Sequence, residues 1–174
     1  MKGFFILSLL LLINLCVSAQ ISIAYSEVIQ KDSVTKEDLY NRGLLWFAKS
    51  FKNPDEVIKY KDDKSCHILG KSEIDYAGID PYYRGKISFE IELLFKDGRF
   101  KYEFKNFTHE GENINIGVIT DEEEASFKAF GSSKAYRDRE WLNIKRMIEN
   151  EANKMKATLS KTIFQNAINN EDNW

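Results

Sequence analysis

The strongest constraint on the fold is a stretch of alternating residues between Lys86 and Phe107, with Asp97-Gly98 at its centre. Apolar residues occupy every second position before this dipeptide, and the same alternation resumes after it. An Asp-Gly pair between two such runs predicts a β-hairpin, because a type I′ turn needs positive φ at both central residues. The sequence therefore predicts two antiparallel strands joined by a two-residue turn.

The register of this hairpin follows from the length of its turn. A two-residue loop pairs apolar residues only with apolar residues: Phe95 with Phe100, Leu93 with Tyr102, and Ile91 with Phe104. Residues that face each other across an antiparallel pair lie on the same side of the sheet. We therefore expect one face of the hairpin, extended by Ile87 and Phe89, to be buried against the hydrophobic core.

The chain before the hairpin contains signals for one helix and three strands. Thr35 stands at the N-cap position of a helix predicted over Lys36–Ser50, with acidic residues directly behind it. Asn53-Pro54 ends this helix, because a residue before proline avoids the helical backbone conformation. Alternation and β-branched residues predict the strands. In chain order these strands are Ile21–Lys31, Val57–Lys61 and Ser65–Tyr76.

After the hairpin the apolar spacing changes to that of a long amphipathic helix. From about Asp138 to Phe164, apolar side chains recur at steps of three and four, with charges between them. The stretch from His109 to Arg137 shows no such regularity. The resulting order, β-α-β-β-β-β, irregular structure and then α, predicts an α+β two-layer sandwich in which two helices cover an antiparallel sheet.

The first residues have the pattern of a secretory signal peptide. Lys2 precedes an apolar run from Phe4 to Leu15, and Val17-Ser18-Ala19 offers small residues for cleavage. Lipoprotein processing at Cys16 is not favoured, because Leu15 stands where such a site needs a small residue. We therefore expect an exported protein, periplasmic or secreted.

The same pattern divides the chain. We expect residues 1–19 to be the cleaved signal peptide, residues 20–165 to form a single domain, and residues 166–174 to be a flexible tail. No internal repeat or low-complexity linker interrupts the middle range. Once the signal is removed, no transmembrane segment is expected.

Charge and metal-ligand content argue against several classes of function. With 25 basic and 27 acidic residues, the chain lacks the basic surplus of a nucleic-acid binder. Cys66, alternating with apolar residues, is expected to be a buried small side chain rather than a nucleophile. The acidic run Asp121–Glu124 lacks the spacing of a calcium loop, and neither His67 nor His109 has partners at zinc-ligand spacing. We expect no metal and no other cofactor.

Three segments together resemble a family of secreted Bacteroidota proteins described as a domain of unknown function with a TBP-like fold. They are Tyr25-Ser26-Glu27-Val28-Ile29, Asp38-Leu39-Tyr40-Asn41-Arg42 leading to Trp46-Phe47, and Phe95 to Tyr102. The resemblance covers roughly Tyr25 to Phe107. It implies a curved sheet backed by helices, including the long C-terminal one, and an envelope or secreted location. It carries no catalytic residues to transfer.

The resemblance to a TBP-like fold raises the question of DNA binding. A TBP-like sheet grips the minor groove through its exposed face. On the predicted polar face of this hairpin, Glu90, Glu92 and Glu103 accompany Lys101 and Lys105, and three carboxylates would repel phosphates. We therefore expect no binding of nucleic acid.

One loop has the composition of a partner-binding surface. In the segment Ala77 to Gly85, Tyr82, Tyr83 and Arg84 place two aromatic rings and a cation in a turn, residue types that are enriched at interfaces. The alternative is that the tyrosines fold back over the edge of the sheet. We take these three residues as the candidate site for a partner or ligand.

These observations favour an exported, non-enzymatic binding or accessory domain of the cell envelope or periplasm. The chain shows no nucleophile elbow, phosphate loop or Ser/His/Asp constellation. The alternative function is a carrier of a small apolar ligand, with a cavity between the sheet and the C-terminal helix. That cavity would be lined by the following aromatic residues: Phe89, Phe95, Phe100, Tyr102, Phe104 and Trp141.

Overall fold

The computed structural model describes residues 21–129 and 131–165. The predicted signal peptide over residues 1–19, with Cys16, and the predicted tail over residues 166–174 lie outside these ranges. Among the described residues, no helix combines the length and the apolar character needed to cross a membrane.

A curved, six-stranded antiparallel sheet forms one layer of the protein. Its order is β1-β5-β4-β3-β2, and the short β6 pairs with β5. The strands are β1 (Tyr25–Gln30), β2 (Ile58–Asp62), β3 (His67–Tyr76), β4 (Gly85–Lys96), β5 (Arg99–Gly111) and β6 (Gly117–Val118). Strands β1 and β2 are therefore the two edges.

The central hairpin has the register that the sequence predicts. Strands β4 and β5 turn at Asp97-Gly98, where Gly98 has φ +72° but Asp97 does not have positive φ, so the turn is not the type I′ turn that the sequence predicts. The pairs are Phe95 with Phe100, Leu93 with Tyr102, and Ile91 with Phe104. All six of these side chains are buried. The prediction of a buried hairpin face is confirmed.

Three helices form the second layer: α1 (Lys36–Ser50), the four-residue α2 (Pro54–Val57) and α3 (Lys134–Phe164). The bounds of α1 agree with those predicted, and the Thr35 hydroxyl accepts a hydrogen bond from the Asp38 amide, as expected of an N-cap. Helix α3 begins a few residues earlier than predicted, because Ser133 caps it. Helix α1 ends at Ser50, before Asn53-Pro54. Pro54 also begins α2, which the sequence did not predict.

Helices α1 and α3 run antiparallel on the core face of the sheet. The Trp46 indole N–H donates to the Thr158 hydroxyl at 3.0 Å, and Arg42 donates to the carbonyl of Ile163 at 2.7 Å. Gly43 brings α1 close to the sheet, since a Cβ there would lie 2.4 Å from the Phe95 ring. The α+β two-layer architecture is thus confirmed, with one continuous core between the layers.

A β-bulge reverses the alternation in the second half of β5. The pairing of β4 with β5 shifts between Ser88 and Glu90, and Asn106 adopts φ +58°. Because one extra residue is inserted, Phe107 and His109 face the core, as Phe104 does before the bulge. Simple alternation from Phe104 would have predicted the opposite.

Candidate functional site

The Ala77–Gly85 loop connects β3 to β4 and contains a single turn of 3₁₀ helix at Pro81–Tyr83. The Asp80 carboxylate caps this turn by accepting from the Tyr82 amide at 2.9 Å, and it also accepts from the Tyr136 hydroxyl at 2.8 Å. The latter contact ties the loop to α3. These hydrogen bonds hold the pKa of Asp80 below its ordinary value, led by the one from the Tyr82 amide.

A buried carboxylate beneath the loop fixes its first half. Glu140 of α3 is only 1% exposed, and its Oε1 accepts from the Tyr76 hydroxyl at 2.5 Å and from the Ile79 amide at 3.0 Å. Asn143 donates to the same tyrosine oxygen at 2.9 Å. Burial, and then the bond to Glu140, raise the pKa of Tyr76 well above its ordinary value, so this hydroxyl remains a donor.

Gly78 allows the chain to approach this carboxylate. Its φ is +70°, and a Cβ at this position would lie 2.5 Å from the carbonyl oxygen of Asp80 and 3.3 Å from Oε1 of Glu140. A side chain here would be strained in its backbone conformation and blocked by the loop itself. The turn at Gly78 is therefore specific to glycine.

His109 holds the second half of the loop. The side chain is 1% exposed, and both ring nitrogens are bonded: Nδ1 accepts from the Ile116 amide at 3.2 Å, so Nε2 carries the proton and donates to the Tyr83 carbonyl at 3.0 Å. Burial lowers the pKa of this imidazole. Its ring meets that of Tyr76 edge-on, with centroids 5.4 Å apart. His109 is thus a neutral structural bridge.

The structure separates the three residues of the predicted site. Tyr82 is 65% exposed, and Arg84 is also exposed. Tyr83 is buried, with its ring edge-on to Phe127 at 5.7 Å and its hydroxyl near the Ser132 hydroxyl. Only Tyr82 and Arg84 are therefore exposed at the surface, whereas Tyr83 alone of the two tyrosines folds back into the core.

Two surface depressions lie beside the loop. One, of about 540 Å³, is lined by both tyrosines of the turn together with Tyr136 and Ser132. The other, of about 560 Å³, lies on the side of Arg84. It contains the following charged residues: Glu73, Asp75, Arg84, Lys86, Glu110 and Glu112. The exposed part of the loop thus stands between an aromatic depression and a mainly acidic one.

The other side chains that could act as a nucleophile, a base or a metal ligand make structural contacts. Cys66 is buried, its thiol donates to the Asp63 carbonyl at 3.2 Å, and burial raises its pKa. His67 pairs with Glu92 at 2.9 Å. Within residues 21–129 and 131–165, no group of three or more His, Cys, Asp or Glu side chains is placed to hold a metal ion.

The outer face of the sheet, which points away from the helices, carries a ladder of charges. Glu92 accepts from Lys105 at 2.5 Å, and Lys101 pairs with Glu103 at 3.1 Å. The hydrogen bond from Lys105 lowers the pKa of Glu92. The carboxylates therefore lie on the outer face of the sheet, as predicted. They pair with the neighbouring lysines, which are then not free to bind phosphate groups.

An open groove of about 640 Å³ lies between the sheet, the end of α1 and one side of α3. Its apolar lining consists of Trp46, Phe51, Ile74, Phe89 and Met155. Of the six aromatic residues predicted to line a carrier cavity, only Phe89 borders this groove, and all six belong to the hydrophobic core. The sequence did not predict this position of the groove.

The sequence contained partial signals for the residues it missed. Glu140 stands four residues before Ile144 and eight before Ile148, on the apolar stripe of α3. His109 had no comparable signal, since its burial depends on the bulge at Asn106. Residues buried by helical spacing are therefore easier to find than those buried by a break in strand alternation.

Comparison with known proteins identifies the fold. The model of the family "Domain of unknown function (DUF4468) with TBP-like fold" matches residues 25–110. The structure is similar to that of a DUF4468 family protein from Bacteroides ovatus, with a TM-score of 0.56 and 14% identity over 84% of this chain and 89% of that one. It is also similar to a TBP-like protein from Parabacteroides distasonis, with a TM-score of 0.51 and 10% identity over 80% and 93%.

A comparison with curated protein sequences finds no match. The family model and the two solved structures agree with the topology described above, and with the resemblance carried by the β1, α1 and hairpin segments. Through residues 25–110, this chain belongs to the DUF4468 family and has its TBP-like fold.

Proposed function

We propose that this protein is an exported, non-enzymatic binding domain of the cell envelope or periplasm, and that it contacts its partner through Tyr82 and Arg84. The observation that carries the proposal is the way the buried carboxylate of Glu140 fastens the loop behind these two side chains. A loop held in one conformation loses little entropy on binding, so its contacts contribute more fully to affinity.

The exposed residues suit such a contact. A tyrosine that is 65% exposed offers a large apolar surface with a polar tip, and the neighbouring arginine adds a cation with several donors. Tyr136 and Asp80 line the depression beside Tyr82 and are bonded to each other, which gives that surface a fixed shape. A partner with an apolar group and a carboxylate would complement it.

The non-enzymatic part of the proposal rests on the roles of the candidate groups. Both nitrogens of His109 are bonded to the backbone, and the Cys66 thiol is buried. His67 is engaged by Glu92 on the outer face. Export rests on the N-terminal sequence pattern, and mass spectrometry of the mature N-terminus tests it: a terminus at Gln20 is expected.

Site-specific photocrosslinking in the native host tests the binding role. A photoreactive phenylalanine analogue at Tyr82 is expected to capture a partner that the same analogue at Leu142 does not, although Leu142 is also more than half exposed. Arg84→Glu is expected to weaken that crosslink. Identical crosslinks from both positions, or full crosslinking in Arg84→Glu, would refute the assignment of this loop.

The second candidate function, a carrier of an apolar ligand, is supported by the groove between the sheet and α3. Its apolar lining includes the half-buried side chains of Phe51 and Ile74, and its volume of about 640 Å³ suits a small ligand. Native mass spectrometry of the protein from its own host should then detect a bound lipid or other apolar molecule. Ile74→Lys, inside the groove, should abolish that adduct, whereas Ile79→Lys, on the exposed loop, should retain it.

A further inference from the structure

Among the residues that the structure describes, the outer edge of β1 carries backbone groups without a hydrogen-bond partner. Lys31 N donates to the Gly98 carbonyl at 2.7 Å, and Ile23 N donates to the Ile119 carbonyl at 3.0 Å. The backbone N–H and C=O groups of the odd-numbered residues in this segment therefore point toward β5 and β6. Alternate residues of an edge strand direct their N–H and C=O groups away from the sheet. In β1 these are Ser26, Val28 and Gln30, and no residue of the described ranges accepts from their amides.

The opposite edge of the sheet is protected, whereas β1 is not. Strand β2 carries Lys59 and Lys61, and a register shift between Ile58 and Tyr60 interrupts its pairing with β3. Lysines and bulges on an edge strand are devices that prevent further strand addition. Strand β1 is regular over its six residues and contains neither lysine nor proline.

The single charge of β1 is also neutralised. Glu27 points to the helix side, where it pairs with Lys156 of α3 at 2.5 Å. Further along, Lys31 lies over the ring of Phe164 at 5.4 Å, so α3 runs beside β1. On the outer face, Val28 is 53% exposed at the middle of the strand. The edge therefore presents hydrogen-bonding groups and an apolar side chain without net charge.

We propose that β1 is a homodimerisation site, at which β1 of a second copy of this chain adds antiparallel and joins the two sheets into one. A two-fold axis through Val28 makes the edge complementary to itself. It places Val28 of one copy opposite Val28 of the other, and Ser26 opposite Gln30. The backbone groups of these residues all point outward, so each facing pair exchanges two hydrogen bonds.

The pleat of the strand selects this axis. Facing residues must lie on the same side of the sheet, so the axis passes through a residue rather than between two residues. An axis through Glu27 would set two like-charged carboxylates face to face in a non-hydrogen-bonded pair, where opposing side chains are closest. An axis through Ser26 would pair only Tyr25–Glu27 of the regular strand, whereas the axis through Val28 pairs 26–30.

Disulfide trapping tests both the dimer and its axis. In Val28→Cys the two new cysteines would have Cα atoms about 5.5 Å apart, within the range that a disulfide spans. In Ser26→Cys they would be separated by four residues along the strands, roughly 14 Å. We expect mild oxidation to give a covalent dimer of the full chain for Val28→Cys alone. The unsubstituted chain, carrying Cys16 and the buried Cys66, measures the background.

Sedimentation velocity over a concentration series gives an independent measure. Val28→Lys puts two like charges opposite each other and is expected to raise the dimer dissociation constant at least about tenfold. The matched control is Tyr60→Lys, which places a lysine at an exposed, outward-facing position of the other edge strand and should leave the constant unchanged. Circular dichroism verifies that both variants are folded.

Each alternative predicts a different result. A chain that stays monomeric at every concentration, with no disulfide in Val28→Cys, refutes the proposal, including the case in which the N-terminal segment covers the edge. Crosslinking in Ser26→Cys instead of Val28→Cys refutes the axis. Failure of the Tyr82 crosslink described above leaves the dimer intact, since the two sites lie on different elements.

Discussion

Tyr76 and Glu140 are 64 positions apart in the chain, yet the hydroxyl of the first donates to the carboxylate of the second at 2.5 Å inside the core. This contact links the end of β3 to the first turns of α3. It thereby joins the sheet to the helix layer at the base of the loop that carries Tyr82 and Arg84. The buried polar network thus contributes both to the stability of the fold and to the shape of the candidate site.

Removal of the Glu140 carboxylate should destabilise the protein strongly. Glu140→Ala leaves the Tyr76 hydroxyl and the Ile79 amide buried without their acceptor, which costs about 2–3 kcal/mol of unfolding free energy. Urea denaturation measures this loss. Glu149→Ala, on an exposed position of the same helix, should change stability little, and an equal loss in both variants would contradict the role of the network.

The same substitution should loosen the loop selectively. Hydrogen exchange of the Ile79 amide is expected to accelerate in Glu140→Ala, because the carboxylate is its acceptor. Amides in the central hairpin, such as that of Leu93, should keep their protection under conditions where the protein remains folded. Unchanged exchange at Ile79 would show that the loop is fixed by other contacts.

Phe89→Asp should prevent the protein from folding. The side chain is almost completely buried and its ring stacks on that of Phe107 at 5.3 Å, so an aspartate there would be a charge in the core without a partner. Loss of soluble, cooperatively unfolding protein is the expected result. Leu94→Asp, on the outer face of the same strand, should be tolerated, because it lies opposite Lys101. A folded Phe89→Asp variant would contradict the facing of the hairpin.

Stability should fall as the pH is lowered below about 6.5, the pKa of an unperturbed histidine in the unfolded chain. Burial lowers the pKa of His109 in the folded protein, so below this pH the unfolded state binds a proton that the folded state does not. The contribution of His109 is therefore complete above pH 6.5 and is lost as the pH falls toward its folded-state pKa.

Titration of the His109 ring by NMR, alongside urea midpoints at several pH values, checks this prediction. The ring should titrate below pH 6.5, and the slope attributable to one proton should not exceed about 1.4 kcal/mol per pH unit. A titration midpoint at or above 6.5 would contradict the neutral, doubly bonded imidazole described above.

Gly43→Ala should destabilise the protein, although alanine is the better helix former. The new methyl group would meet the end of the Phe95 ring at 2.4 Å, and such overpacking costs about 1–3 kcal/mol. Phe95→Leu should relieve part of this cost, so the double variant would be more stable than additivity predicts. Asn41→Ala, at an exposed position of α1, should instead stabilise the protein slightly.

The parts of the fold that were predicted correctly depend on neighbouring residues. The Asp97-Gly98 turn determines the pairing of Phe95 with Phe100, and the Thr35 cap determines where α1 begins. Turn chemistry, capping and periodicity act within a few residues of the chain, and so they can be read without knowing the tertiary structure.

The candidate site was predicted only in part, because burial of a side chain is a property of the whole fold. Tyr82 and Tyr83 are adjacent and chemically identical, yet one is exposed and the other packs against Phe127. The 3₁₀ turn decides which ring points inward, and that turn is positioned by Glu140 and His109 from distant segments.

By itself, the sequence determined the central hairpin, its register and the two amphipathic helices that cover it, since these follow from local spacing and turn residues. The tertiary structure alone decided the bulge at Asn106, the burial of His109 and Glu140, and the position of β1 at one end of the strand order. Each of these depends on which segments meet across the sheet and the core, and buried polar groups must find their hydrogen-bond partners wherever the fold brings them.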